Sequence, residues 1–173
     1  MGKVVLFIAM SLDGYIAREN GEIDWLWDDN DYGYEKFYNT IDTVVLGRKT
    51  YEQIFKLTEN FPYRQKDVYV VSNIQEGSDD YATFIQPEQI RPLMNLLKKD
   101  QNKNIWIVGG AQLIHHFIKR DLIDEFQIAI QPTLIGKGIP LFHENDVEAQ
   151  LELHEAKPYA DGMLVLTYRK RQG

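Results

Sequence analysis

Val44-Val45-Leu46-Gly47-Arg48-Lys49-Thr50 carries an apolar, β-branched run into a glycine and then into two cations at the start of a helical pattern. The run reads as a strand buried on both faces. Gly47 reads as a point where the backbone can approach a ligand closely. The residues after it form a helix N-terminus, whose free N–H groups and positive dipole end attract anions. Arg48 and Lys49 would add charge-assisted contacts there, although they serve equally well as solvated charges beside an ordinary turn.

The same arrangement recurs twice. Ile105-Trp106-Ile107-Val108-Gly109-Gly110-Ala111-Gln112 runs a strand into paired glycines at a helix start, where the missing Cβ atoms let the backbone lie against a pyrophosphate or a ring. It matches neither the G-x-G-x-x-G fingerprint nor a P-loop, which disfavours both of those larger classes. Tyr69-Val70-Val71-Ser72-Asn73 ends in two small hydrogen-bonding side chains, where a site preferring NAD would carry an acid; this favours NADPH.

Further strands are expected at Val4–Ala9 and Phe126–Ile130, with helices at Tyr34–Thr40, Thr50–Ile54, Pro87–Lys99 and Ala111–Lys119. Leu93, Leu96 and Leu97 are read as one face of the third helix, and Leu113, Ile114, Phe117 and Ile118 as the stripe of the fourth. Leu151–Lys157 and Met163–Arg169 alternate around the turn pair Asp161-Gly162, as an antiparallel hairpin does. The fold class is therefore α/β: a mixed, mostly parallel sheet flanked by helices, with a C-terminal antiparallel hairpin.

With 173 residues, 44% hydrophobic and 26% charged, the chain suits a single domain over 1–173. Its net charge of -7 works against nucleic acid and anionic membrane as partners. The absence of cysteine excludes disulfides, thiolate metal sites and a cysteine nucleophile, and suits a reducing, cytoplasmic setting. The apolar start meets Ser11 and Asp13 too soon to span a bilayer. His115 and His116 lack further ligands at matched spacing, so they read as ordinary helix histidines and no metal is expected.

Met10-Ser11-Leu12-Asp13-Gly14-Tyr15-Ile16-Ala17, Gly47-Arg48-Lys49-Thr50-Tyr51, Val108-Gly109-Gly110-Ala111 and the segment from Leu122 through Phe142, with its Gln131-Pro132-Thr133 and Gly136-Lys137-Gly138, occur in order along nearly the whole chain. Together they resemble the dihydrofolate reductase-like family, and within it the C-terminal reductase domain of the bifunctional riboflavin-biosynthesis enzyme and its stand-alone relatives. The resemblance implies a three-layer α/β/α fold, hydride transfer from NADPH, and a homodimer. It implies that Gly47, Arg48, Lys49 and Thr50 hold phosphates. By the same resemblance Ser72 and Asn73 would lie near the adenosine 2'-phosphate, and Gly109 and Gly110 would support the pyrophosphate with Ala111 and Gln112 behind them, a cis peptide between the glycines being one form the join can take. The resemblance further implies that Ala9 and Ile16 flank the nicotinamide, that Ser11–Ala17 forms a loop closing over the ring, and that Ile135–Phe142 packs against that loop.

Reduction also needs a proton. Counting from Gly47 lands on Asp31, and counting from Trp25 falls between Asp29 and Asp31; Asp13, in its turn, is a third candidate. Each has a plainer reading as a helix-start or turn residue. The stretch Trp25–Glu35 holds four acids and no basic residue, whereas the riboflavin reductases carry an arginine-bearing helix here. An anionic phosphate would be repelled, so the expected substrate is a neutral or cationic heterocycle, pterin-like or pyrimidine-like, stacked on Trp25, Trp27, Tyr32 or Tyr34. Packing alone also explains those aromatics. True dihydrofolate reduction and a non-catalytic nucleotide-binding module are the alternatives.

Overall fold

The computed structural model describes residues 2–171. Its first strand, β1 (Val4–Ser11), shows how the sheet is built. Val4 and Leu6 point into one apolar layer and Val5 and Phe7 into the other, because side chains alternate across a strand. Both layers are covered by helix, so the run is apolar throughout.

The order across the nine-stranded sheet is β10-β11-β8-β1-β7-β3-β4-β6-β5. β3 (Thr43–Gly47), β4 (Asp67–Val71), β6 (Thr83–Ile85), β7 (Ile105–Gly109) and β8 (Glu125–Gln131) run parallel with β1. β5 (Gly77–Ser78) pairs antiparallel with β6, and the hairpin of β10 (Leu151–Pro158) and β11 (Leu164–Lys170) adds antiparallel to β8. Met163 N–H bonds the Asp161 carboxylate at 3.0 Å in the turn, and Gly162 takes the left-handed φ of 101° that a side chain would disfavour.

On one face, α3 (Ile90–Leu97) and α4 (Ala111–Lys119) pack Ile90, Met94, Ile114 and Phe117 against Leu6, Val45, Ile105 and Ile107. On the other, α1 (Tyr34–Tyr38) and α2 (Arg48–Leu57) cover Val5, Val44, Leu46 and Val70 with Phe37 and Tyr51. This is the expected three-layer α/β/α architecture.

Several local expectations are corrected. Residues Pro87–Gln89 form a separate 3₁₀ turn before α3. The buried face of α3 is Ile90, Leu93, Met94 and Leu97, while Leu96 is 60% exposed; the spacing 90, 93, 94, 97 keeps to one side and 96 does not. Helix α2 begins at Arg48, not Thr50, and α1 ends at Tyr38, not Thr40. Ser11–Ala17 and Ile135–Phe142, expected as loops packed together, each contribute a short strand: β2 (Tyr15–Ala17) pairs antiparallel with β9 (Ile139–Pro140), outside the main sheet.

Candidate functional site

Strands β3, β4 and β7 all end on the same side, and their carboxyl ends frame a cavity of about 420 Å³. Nine of the twelve residues read as cofactor contacts line it: Gly47, Arg48, Lys49 and Thr50; Ser72 and Asn73; Gly110, Ala111 and Gln112. Helices α2 and α4 both begin there, after Gly47 and Gly110, and neither start is capped by a side chain. Their first N–H groups are therefore available to an anion.

The two loops meet closely. Gly109 and Gly110 are joined by a cis peptide, and Gly109 has φ 137°. A Cβ on Gly110 would lie 3.3 Å from Thr50 Oγ1, and one on Gly47 would lie 3.6 Å from the Gly109 carbonyl oxygen. Arg48 Nη1 pairs with Glu52 Oε1 at 2.9 Å, one turn along α2. Ser72 is buried, and its Oγ accepts the N–H groups of Ile74 (3.2 Å) and Gln75 (3.1 Å), which leaves its own O–H to donate. The far wall is Pro87, Ile90, Leu113 and His116, none of them read from sequence as part of a ligand site: Leu113 reads there as part of a helix core stripe and His116 as an ordinary helix position. His116 is held neutral, its pKa lowered by burial and by Arg120. An apolar helix face reads as core until a facing turn, here Pro87, leaves a gap beside it.

Ala9 and Ile16 are not in this cavity. Ala9 lies beyond Phe7 on β1, on the α1 face, where it packs with Trp27, Tyr32 and Met163. Ile16, in β2, closes onto the opposite core layer.

The three acids stand apart. The Asp13 carboxylate accepts the Ser11 hydroxyl at 2.5 Å and the backbone N–H of Gly136 at 2.8 Å and of Ile135 at 3.4 Å. These bonds, the Ser11 hydroxyl foremost, hold its pKa below the ordinary value. Asp31 accepts the Glu35 N–H at 3.3 Å in the first turn of α1. Asp29 is exposed on the loop before Tyr32, whose hydroxyl donates to Asp161 at 2.5 Å. That bond, with partial desolvation, pushes the Tyr32 pKa up to about 12.

The aromatics also separate. Trp25 is buried, Trp27 borders Ala9, and Tyr34 lies against Trp106 with centroids 5.8 Å apart. Sequence reasoning assigned nothing to Gln131, yet its fully buried amide fixes this loop. Oε1 accepts the Trp27 N–H and Nε2 donates to the Trp25 carbonyl, each at 2.9 Å. A glutamine in an apolar strand was the one available signal, because a buried amide must find partners.

The charge around the tryptophan loop changes in three dimensions. A cleft of about 220 Å³ beside α1 is walled by Phe7, Tyr32, Phe37 and Tyr159, and it gathers Lys36, Lys157 and Arg169 with Glu125 and Glu155. Two of those cations come from the C-terminal hairpin, so the acidic stretch does not set the local potential alone.

A family model of the RibD C-terminal domain matches residues 2–165. The chain belongs to this family. It is 47% identical over 165 residues to the uncharacterized protein YwjB of Bacillus subtilis, covering 93% of this chain and 94% of that one. The fold of this RibD C-terminal domain superposes with a TM-score of 0.83 on a protein from Shewanella sp. PV-4 ascribed to riboflavin biosynthesis, at 29% identity over 98% of this chain and 99% of the other. It also superposes with a TM-score of 0.70 on a dihydrofolate reductase from Enterococcus faecalis complexed with NADP(H), at 20% identity over 99% and 98% of the two chains, a likeness of fold. The family is of the reductase type. Among the described residues no helix is long and apolar enough to cross a membrane, and no cluster of three metal-ligating side chains occurs.

Proposed function

We propose that this RibD C-terminal domain is an NADPH-dependent oxidoreductase that reduces a small heterocycle. The observation that carries the reading is the single cavity in which two uncapped helix starts meet across Gly110 and Thr50, with Arg48 and Lys49 at its edge. Such a surface complements a pyrophosphate and a further phosphate, and the absent Cβ of Gly110 leaves the room that a phosphate needs.

In that reading Thr50, the α2 and α4 N-termini and Arg48 hold the phosphates, while the Ser72 hydroxyl and Asn73 face the ribose phosphate. Bound there, NADPH would supply the hydride. Ala9 and the β2–β9 ribbon carrying Ile16 bound the end of β1, where the ring and the substrate would meet and where closure would exclude water. Trp27, held by Gln131, offers the flat apolar surface for a heteroaromatic substrate. Asp13 and Asp31 are engaged with backbone N–H groups, which leaves Asp29 the acid least committed to structure and the first to test as proton source.

The test is a titration with NADPH and then NADH, followed by tryptophan fluorescence and energy transfer to the nicotinamide. Strong preference for NADPH supports the reading, and no binding of either defeats it. NADPH oxidation with dihydrofolate and with a panel of pterins and aminopyrimidines then separates the alternatives. Turnover of dihydrofolate would make the protein a true dihydrofolate reductase, and binding without any turnover would make it a nucleotide-binding module.

A further inference from the structure

His115 and His143 stack with ring centroids 3.9 Å apart and planes 24° from parallel, although one lies on α4 and the other in the segment after β9. His115 Nε2 is 2.8 Å from the Pro140 carbonyl oxygen. A carbonyl only accepts, so Nε2 carries a proton. Pro140 is the residue of β9 that faces Tyr15 of β2. The next residue, Leu141, is fully buried and donates its N–H to the Gly14 carbonyl at 2.9 Å. One imidazole thus ties α4 to the ribbon at the point where the ribbon enters the core.

His143 covers that tie from the outside. Its Nδ1 is buried and has no partner among the described residues, so a proton placed there would be an unpaired buried donor on a cation. The charged or titratable groups that act on it from α4 are His115 and Lys119, both of which oppose a positive charge, and no carboxylate among the described residues offsets them; burial opposes it most.

We propose that His115 and His143 form an acid-released latch, in which His115, stacked on an uncharged His143, holds Pro140 and the β2–β9 ribbon against α4, and protonation of His143 drives the rings apart and frees the ribbon. The sign follows from the surroundings. The His143 pKa is lowered from 6.5 in the latched form, so the latch is intact at neutral pH and is lost as pH falls through the lowered value. The latch itself rests on geometry alone. Its effect on cofactor rests on the nucleotide reading above, because the freed strand carries Ile16.

Hydrogen exchange read by mass spectrometry, corrected for intrinsic rates, tests this on peptides spanning residues 12–18 and 136–143 between pH 7.5 and 5.5. In the wild type, protection of both peptides falls about tenfold on acidification, while an α3 peptide is unchanged. In His143→Phe, which keeps a ring to stack but cannot titrate, protection is the same at both pH values; His143→Gln serves if the phenylalanine is not accommodated. No loss of protection in the wild type, or the same loss in the non-titrating variants, overturns the proposal.

NADP⁺ titrations on the same proteins separate the two readings. Affinity that weakens with acid in the wild type more than in His143→Phe joins the latch to the nucleotide site; equal weakening separates the latch from the nucleotide site. Binding at no pH defeats the nucleotide reading and leaves the latch to stand or fall on exchange.

Discussion

Gly110 stands so close to Thr50 that a single methyl group would intrude on the contact joining the two phosphate-facing loops. Gly110→Ala is expected to fold, because its backbone lies at φ -79°, open to any residue, but to weaken NADPH binding about tenfold, or roughly 1.4 kcal/mol. Fluorescence titration beside thermal unfolding separates the two effects. Arg48→Ala removes a charge-assisted contact, and about 1.5–3 kcal/mol of NADPH affinity should go with it; Glu52→Gln, which only frees Arg48, should not weaken binding. Gln131→Leu leaves the Trp27 N–H and the Trp25 carbonyl without their partner, at about 1–3 kcal/mol for each unsatisfied group, measured by urea unfolding. The residue-level reading of the phosphate loops needed only glycines, cations and the ends of apolar runs, all visible along the chain. Gln131 and His116 were not legible, since each acquires its role from residues far away in sequence.

At the scale of elements, long apolar runs and helical stripes declared themselves, and short pieces did not. The α4 stripe of Leu113, Ile114, Phe117 and Ile118 is buried as its spacing requires. The β2–β9 ribbon has three residues on one side and two on the other, too short for a periodic signal. It is stabilised by its surroundings instead: Asp13 bonds the backbone of Gly136, and Gly138 passes so near Ala17 that a Cβ would overlap its carbonyl oxygen. Gly138→Ala should therefore unfasten the ribbon while leaving the sheet intact, costing about 1–3 kcal/mol locally. Hydrogen exchange would show it as lost protection confined to residues 12–18 and 136–143. The outer strand β10 is exposed along its whole length, the form an unpaired edge takes.

For the whole molecule, the buried Glu125 carboxylate joins the ends of the chain. Burial alone would raise its pKa, but Gln127, Arg169 at 2.8 Å and Lys3 at 3.2 Å outweigh it and hold the group below 4.5. A depressed carboxylate stabilises the fold above its unfolded pKa and ceases to do so as pH falls through the folded value. Wild-type stability should thus decline below about pH 4.5, whereas Glu125→Gln, which leaves the partly exposed Lys3 and Arg169 to water, should lose about 1–2 kcal/mol at pH 7 and show a flatter acid limb in denaturant unfolding. By itself the sequence determined the layered α/β fold and the three strand ends that frame the cavity, because burial on both faces and uncapped helix starts are local consequences of residue type and spacing. Only the tertiary structure decided that Lys157 and Arg169 come to the cleft beside the acidic loop, that Gln131 holds both tryptophan backbones, and that His143 stacks on His115. Each of these pairings joins parts of the chain that meet only after the sheet has set its strand order, and no local pattern encodes a partner that the fold itself brings near.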